Sequence, residues 1–370
     1  MTSSLVSQEP TSEARRTHWP SWVGYGAVIW SLSYGALGLL WTMGVPGFPF
    51  GEGEIPEVRH HTVLGQATSD SFGGGIAGIG FLSAVIALFM VRRRLPRWAA
   101  YPAIGMGWIL AGFLIAIIPD HRPLIALAFA PAFLTVVPFG WPEPFGEFME
   151  LVYPWTTINL MVCVAGGVLW ALATLAYQRS VRESCRSCGR THGRDSGWTH
   201  PAAAARWGRW SVYVAIVIPL IYAASRLLWV VDIPFAISRE MLDELWDTGA
   251  VWAGLFLALM ACMGSLLTLG LIQKWGVIWP RWVLGLAGRR VPPKVPFVAA
   301  SIVAITVASA GTTMWMVVDW NEADSIMGNP GMVWPLWSVA LGAAAIAYYL
   351  RWRPACLVCS PMPNGKADPE

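Results

Sequence analysis

Four cysteines stand in two pairs that could share one metal ion, Cys185-Arg-Ser-Cys188 and Cys356-Leu-Val-Cys359. A Cys-x-x-Cys turn points two thiols at one centre, and two such turns supply the ligand set of a tetrahedral structural zinc site. The same residues also allow two unlinked pairs of surface thiols or a dithiol redox centre. Zinc is the cofactor we expect, with a structural role that joins two parts of the chain.

A second set of polar candidates lies in or next to apolar segments. Arg226 is the charged residue placed deepest, where it would bind an anionic group of a substrate or lipid. Alternatively, Arg226 extends outward and pairs with a carboxylate such as Asp232. Tyr34 and Tyr222 occupy matching places in two similar segments and are further candidates for substrate contact.

A third set of candidates falls between apolar segments in the first half of the chain. These residues could bind a metal or relay protons. Their spacing follows no known metal-ligand pattern, so solvated loop residues are the alternative interpretation. The set comprises His60, His61, Asp120 and His121.

The elements that must position these residues are membrane helices, because 55% of the 370 residues are hydrophobic and only 13% are charged. A bilayer core needs about 20 apolar residues per helix. Continuous apolar runs without period-2 alternation favour helices over a β-barrel. The sequence therefore predicts an all-α polytopic bundle with the lipid bilayer as its solvent. Its eight predicted spans are Trp22–Val45, Gly73–Val91, Ala99–Pro119, Trp155–Tyr177, Trp210–Val231, Ala250–Ile272, Pro296–Val318 and Val333–Leu350.

The distribution of charge predicts the orientation of these spans. If the N-terminus is cytoplasmic, 21 of the 25 Lys and Arg lie inside and 16 of the 22 Asp and Glu lie outside. Such an excess of inner Lys and Arg is the positive-inside pattern. We therefore expect a bacterial plasma-membrane protein with both termini in the cytoplasm.

Matched landmarks predict an internal repeat. The pattern Y-x4-L-L-W-x4-P begins at Tyr34 and recurs at Tyr222, and Pro-Arg-Trp follows both the second and the sixth span. A repeat with an even number of spans keeps its orientation, so the two halves should be parallel. The fold class is thus a tandem 4+4 pseudo-symmetric bundle. Its predicted parts are a flexible tail at 1–20, a first repeat at 21–180, a basic linker at 181–208, a second repeat at 209–353 and a tail at 354–370.

One apolar segment, 123–139, is too short and too rich in proline to count as a ninth span. A re-entrant or interfacial hairpin on the outer side fits its length. It has no counterpart in the second repeat, where the equivalent connection is short and polar. Gly38 is likewise replaced by Arg226 at the matching position, and such departures from symmetry are places to look for function.

Several classes of chemistry lack their sequence signals. No His lies in a predicted span, so we expect no haem held within the bundle. We also expect no bound nucleotide, because the chain has no G-x4-G-K-[ST] motif, and it carries no H-E-x-x-H or G-x-S-x-G motif. We interpret the clustered arginines as determinants of membrane topology and as contacts for anionic lipids, so nucleic acid is not an expected partner.

The loop Trp275–Pro293, with the Trp-rich character of the chain, resembles multi-pass membrane proteins of high-GC actinobacteria that have no assigned activity. The resemblance covers about a quarter of the chain and carries over no catalytic residue. It implies a membrane location and leaves the function open.

The sequence leaves three functional hypotheses open. The leading hypothesis is transport or export of a small molecule or lipophile, or an immunity role, in a cavity between the repeats. The first alternative is a membrane-embedded enzyme acting on a lipid or isoprenoid, with 123–139 as a lid over the outer His and Asp residues. The second is a non-catalytic subunit whose basic cytoplasmic loops dock a soluble partner.

Overall fold

The computed structural model describes residues 19–54, 56–60, 62–135, 145–191, 195, 197–281, 283, 285–318, 320, 330–356 and 358–359. Within these residues the fold is all-helical, and the extended pairing is one isolated bridge between Ile278 and Arg290. The helices longer than one turn are α1 (Trp19–Thr42), α2 (Ser69–Arg92), α3 (Arg97–Gly112), α4 (Arg122–Thr135), α5 (Phe145–Val152), α6 (Trp155–Val181), α7 (Pro201–Val230), α8 (Arg239–Asp247), α9 (Ala250–Leu269), α10 (Lys294–Val317) and α11 (Trp334–Trp352).

Eight of the helical segments are long and apolar enough to cross a membrane, which confirms the predicted number of spans. Their outward faces carry large apolar side chains, such as Ile109, which is 74% exposed, and Val339, which is 70% exposed. Soluble monomers do not expose apolar surface on this scale. The chain is therefore a multi-pass membrane protein.

Helix α7 begins at Pro201, nine residues before the predicted start of the fifth span at Trp210. The predicted basic linker at 181–208 thus contains the first two turns of this helix. The cause is local, because the His200 side chain caps the helix by accepting a hydrogen bond from the Ala202 N–H, and Pro201 suits the first helical position.

The segment 123–139 contains helix α4, whose 14 residues make a rod about 21 Å long. A straight helix of that length is shorter than the bilayer core of about 30 Å. Residues 136–139 of the predicted hairpin lie outside the described residues, as do residues 1–18 of the predicted N-terminal tail and most of the predicted C-terminal tail.

The helices of the two halves pack in the same order. In the first half α1 contacts α2 and α6, and α6 also contacts α3. In the second half α7 contacts α9 and α11, and α11 also contacts α10. The main helix contacts of the two halves therefore follow the same pattern.

The first helix of each half ends in the same kind of turn. Gly44 and Asp232, 188 positions apart, both have a left-handed backbone, with φ of 82° and 64°. The next residue then donates its backbone N–H to a carbonyl five residues earlier, from Val45 to Leu40 and from Ile233 to Leu228. This is the hydrogen bond of a Schellman-type helix end.

The α1–α2 contact is closer than its counterpart in the second half because glycines meet there. A Cβ atom added to Gly38 would lie 2.5 Å from the Ala77 nitrogen, and one added to Gly80 would lie 2.5 Å from the Gly35 nitrogen. Small residues permit this approach of two membrane helices. At the matching place in the second half, Arg226 packs its side chain against Gly254 of α9.

The two halves meet along their third membrane helices. Helix α10 contacts α4 and the π-helical segment Phe113–Ile117, which continues α3. Two buried hydroxyls of α10, on Ser309 and Thr313, donate to carbonyls of their own helix. Both hydroxyls are therefore satisfied within α10.

Candidate functional site

The Cys-x-x-Cys pairs are carried by the ends of α6 and α11, the last membrane helices of the two halves. The first pair forms a tight turn in which the Gly189 N–H donates to the Cys185 carbonyl at 2.7 Å. Gly189 has a φ of 77°, and a Cβ atom there would lie 3.0 Å from the Arg179 side chain. Glycine is therefore required at this position by both backbone and space.

The four sulfurs form one compact cluster. The Sγ atoms of Cys185 and Cys356 are 3.9 Å apart, those of Cys188 and Cys359 are 3.4 Å apart, and all four lie within 4.8 Å of one another. Four sulfurs about 2.3 Å from one tetrahedral ion would be about 3.8 Å from each other. The cluster therefore has the size and ligand set to hold one metal ion.

The thiols of the cluster differ in acidity. Burial raises the pKa of Cys188 and of Cys359. Burial also opposes ionisation of Cys356, but hydrogen bonds from the backbone N–H groups of Cys359 and Val358 lower its pKa to about 7. Thiolates are the form that binds metal.

Arginines from both halves hold the two turns in place. Arg179 of α6 donates to the carbonyls of Arg186 and Ser187, and the Trp19 indole also donates to Ser187. This ties the first turn to the start of α1 and the end of α6.

Two further arginines join the turns across the halves. Arg353, after α11, donates to the Cys188 carbonyl at 2.7 Å, and Arg190 donates to the Pro354 carbonyl at 3.1 Å. Both form ion pairs with Asp195. Four thiolates around a divalent ion carry a net charge of about −2, which neighbouring guanidinium groups offset.

The candidate residues at the opposite, acidic end of the bundle have different surroundings. His60 is exposed on a turn, and His61 lies outside the described residues. Asp120 is buried and accepts hydrogen bonds from Arg122, while His121 is partly buried. The carboxylate of Asp120 is thus already paired with a cation.

Sequence reasoning missed the ion cluster to which Asp120 belongs. The Arg122 guanidinium donates to both oxygens of Glu54, at 2.6 and 2.7 Å, and to Thr156 at 3.1 Å. The Glu54 and Asp120 side chains are only 3% and 2% exposed. Burial alone would lower the pKa of Arg122, but its hydrogen bonds to the two carboxylates raise it. The cluster joins the loop after α1 to the starts of α4 and α6.

Arg226 does not form the predicted pair with Asp232, which instead pairs with Arg239 at 2.9 Å. Its guanidinium carbon lies 3.7 Å from the centre of the Trp229 ring and 4.7 Å from that of Tyr222. Such cation–π contacts stabilise a guanidinium that has left water. Among the described residues Arg226 has no carboxylate partner.

The two matched tyrosines have different surroundings. Tyr34 is buried, donates to Asn159 at 2.6 Å and lies 3.2 Å from the Cys163 sulfur. Tyr222 packs edge-on against Trp334 and beside Arg226. Tyr34 also lines a cavity of about 490 Å³. Cys163 therefore takes part in a polar contact with Tyr34.

Comparison of the chain with protein-family models, with curated proteins and with solved structures finds no match.

Replacing Arg122 by Gln should destabilise the protein, because Glu54 and Asp120 would then be buried without a cation. Loss of one partner from a buried ion cluster costs about 3–5 kcal/mol, and the partial exposure of Arg122 favours the lower part of that range. The matched control is Arg239→Gln, which removes an arginine that also pairs with two carboxylates, Asp232 and Asp243, but at an exposed site. Denaturant unfolding in detergent micelles compares the two, and equal stabilities would contradict a structural role for the buried cluster.

Proposed function

We propose that the chain is a bacterial plasma-membrane protein that transports or exports a small lipophilic molecule, or confers immunity to one. Its scaffold is a tandem pair of parallel four-helix repeats joined by a structural zinc ion. The observation that supports this scaffold is the convergence of one Cys-x-x-Cys turn from each half on a single four-sulfur cluster.

The packing supports a repeat with an approximate two-fold axis along the membrane normal. Each cysteine lies next to its own equivalent, Cys185 next to Cys356 and Cys188 next to Cys359, as an isologous contact requires. The third membrane helices of the two halves also contact each other. Parallel halves around such an axis are the plan of many transporters, with the substrate site between or within the halves.

Zinc is the metal that suits the cluster best. Tetrahedral four-sulfur sites take zinc or iron. Sulfurs within 4.8 Å of one another leave room for a single ion and not for a multi-iron cluster. The cluster lies at the arginine-rich end of the bundle, which the charge pattern assigns to the cytoplasm, where structural disulfides are disfavoured.

The two other functions have less support. An enzyme using the outer candidates would need a free carboxylate, but Asp120 is paired with Arg122. For a subunit that docks a partner through its basic loops, Arg190 and Arg353 are already held by Asp195, and exposed arginines such as Arg94 and Arg290 would have to serve. The loop resemblance to actinobacterial membrane proteins agrees with the proposed location.

Metal analysis of the purified protein should find about one zinc per chain. Cys185→Ser and Cys356→Ser should each remove it, because each substitution takes a ligand from a different half. Cys262→Ser is the matched control, since Cys262 lies in α9 away from the cluster, and it should leave zinc in place. Wild-type protein without zinc, or zinc retained in both ligand variants, would refute the clamp.

Cells that express the protein should retain less of the neutral dye N-phenyl-1-naphthylamine than cells carrying an empty vector. Alanine at Arg226 should abolish that difference if transport uses the membrane-embedded arginine. Alanine at His60 or His121 should have no effect, whereas an enzyme at the outer face would lose activity there. Asp120 is left unchanged because its removal would disturb the Arg122 ion cluster. Equal dye retention with and without the protein would count against export of such lipophiles.

A further inference from the structure

A cavity of about 490 Å³ lies in the first half, between α1, α2 and α3 and below the loop that follows α1. Its volume falls in the range of small-molecule sites. Aromatic rings form much of its wall, including those of Trp30, Phe48 and Phe113. Phe113 belongs to the π-helical segment, and such segments occur frequently at functional sites.

The described residues that line this cavity include no charged side chain. An ion would therefore enter it without a partner, at a high desolvation cost. A neutral, largely apolar molecule matches the wall. The cavity therefore differs in ligand type from Arg226, which lies in the second half and would bind an anionic group.

One side of the cavity is polar. Tyr34 and Cys163 line it, and the Tyr34 hydroxyl also donates to the Asn159 side chain. Asn159 is only 1% exposed, and its amide nitrogen has no hydrogen-bond partner among the described residues. A buried donor without an acceptor is unusual and costly. Asn159 is not itself a lining residue but is hydrogen-bonded to Tyr34, which is, so an oxygen atom of a molecule that reached between Tyr34 and Cys163 would supply the missing acceptor to this Tyr34–Asn159–Cys163 cluster.

The second half offers a contrast. Its cavity of about 340 Å³ is covered by the Trp275–Pro293 loop at the arginine-rich end, and Thr268 is the one hydroxyl among its lining residues. The Thr268 hydroxyl already donates to Gly264 of its own helix. That hydroxyl is therefore not free to orient a ligand.

We propose that the cavity of the first half binds a neutral lipophilic molecule carrying a carbonyl or ether oxygen, which accepts a hydrogen bond from the Tyr34–Asn159–Cys163 cluster. This inference rests on the proposed lipophile-handling function and assigns it a site and a ligand class. The apolar wall holds the body of the molecule, and the polar cluster selects for the oxygen.

The test uses prodan, a neutral naphthalene ketone, with the purified full-length protein in lipid nanodiscs. Energy transfer from tryptophan to prodan should show a saturable component that empty nanodiscs lack. Gly75→Phe should abolish that component by filling the cavity. Gly75 lines the cavity, and a Cβ atom there meets no atom within 4 Å, so the variant should fold. Gly78→Phe is the matched control, on the same helix with equal space but outside the cavity lining, and it should bind like wild type.

The role of the polar cluster is tested with Asn159→Leu and Tyr34→Phe. Each should weaken prodan binding by about three- to tenfold, the worth of one hydrogen bond. Neither should alter binding of 2-(dimethylamino)naphthalene, which has the ring but no ketone. Loss of both probes would reveal misfolding, which the zinc content and thermal unfolding of the same samples check independently.

Three results would overturn the proposal. They are partitioning of prodan equal to that in empty nanodiscs, equal effects of Gly75→Phe and Gly78→Phe, and equal loss of both probes in correctly folded Asn159→Leu. Dye retention in cells is a separate readout. Export that persists in Gly75→Phe would leave the proposed function standing while rejecting this cavity as its site.

Discussion

The convergence of two helix ends on four sulfurs is the constraint from which the rest of the arrangement follows. α6 and α11 belong to different halves of the chain. Even so, the four sulfurs of the Cys-x-x-Cys turns that follow them lie within 4.8 Å of one another. This convergence of the four sulfurs limits how the two halves can be placed relative to each other. Arg179 fixes one turn to its own half, and Arg353 reaches across to the other. The α3–α10 contact then completes the interface inside the apolar region.

On this shared scaffold the residues that could do chemistry are not symmetric. Gly38 lets α1 and α2 approach closely, whereas Arg226, at the matching sequence position, packs its side chain against Gly254 of α9 and contacts two aromatic rings. Tyr34 joins a polar cluster beside a cavity, whereas Tyr222 packs against Trp334. Under the proposed repeat, the two halves share a framework, and the differences at matched positions are the reason that we place the ligand site in one half.

The sequence was sufficient to predict the membrane helices and the cysteine cluster, because hydropathy and matched spacing can be recognised in the sequence itself. The early start of α7 was missed because Arg206 and Arg209 interrupt the apolar run, and the helix cap at His200 was not considered. Glu54 could not be assigned from sequence, since its partner Arg122 is 68 positions away and only tertiary packing joins them. For the same reason Asp120 resembled a reactive carboxylate until its ion pair was visible. The Asn159 cluster also depends on contacts between distant helices.

The most direct measurement of the central claim is disulfide formation in a chain whose only cysteines are Cys188 and Cys359. After metal removal and mild oxidation, mass spectrometry should find one peptide from each half joined through these residues, since their sulfurs are 3.4 Å apart. A chain retaining only Cys188 and Cys262 should give no such link. Absence of the Cys188–Cys359 link, or an equal yield from the control chain, would contradict an account in which the two halves meet at a single four-sulfur centre.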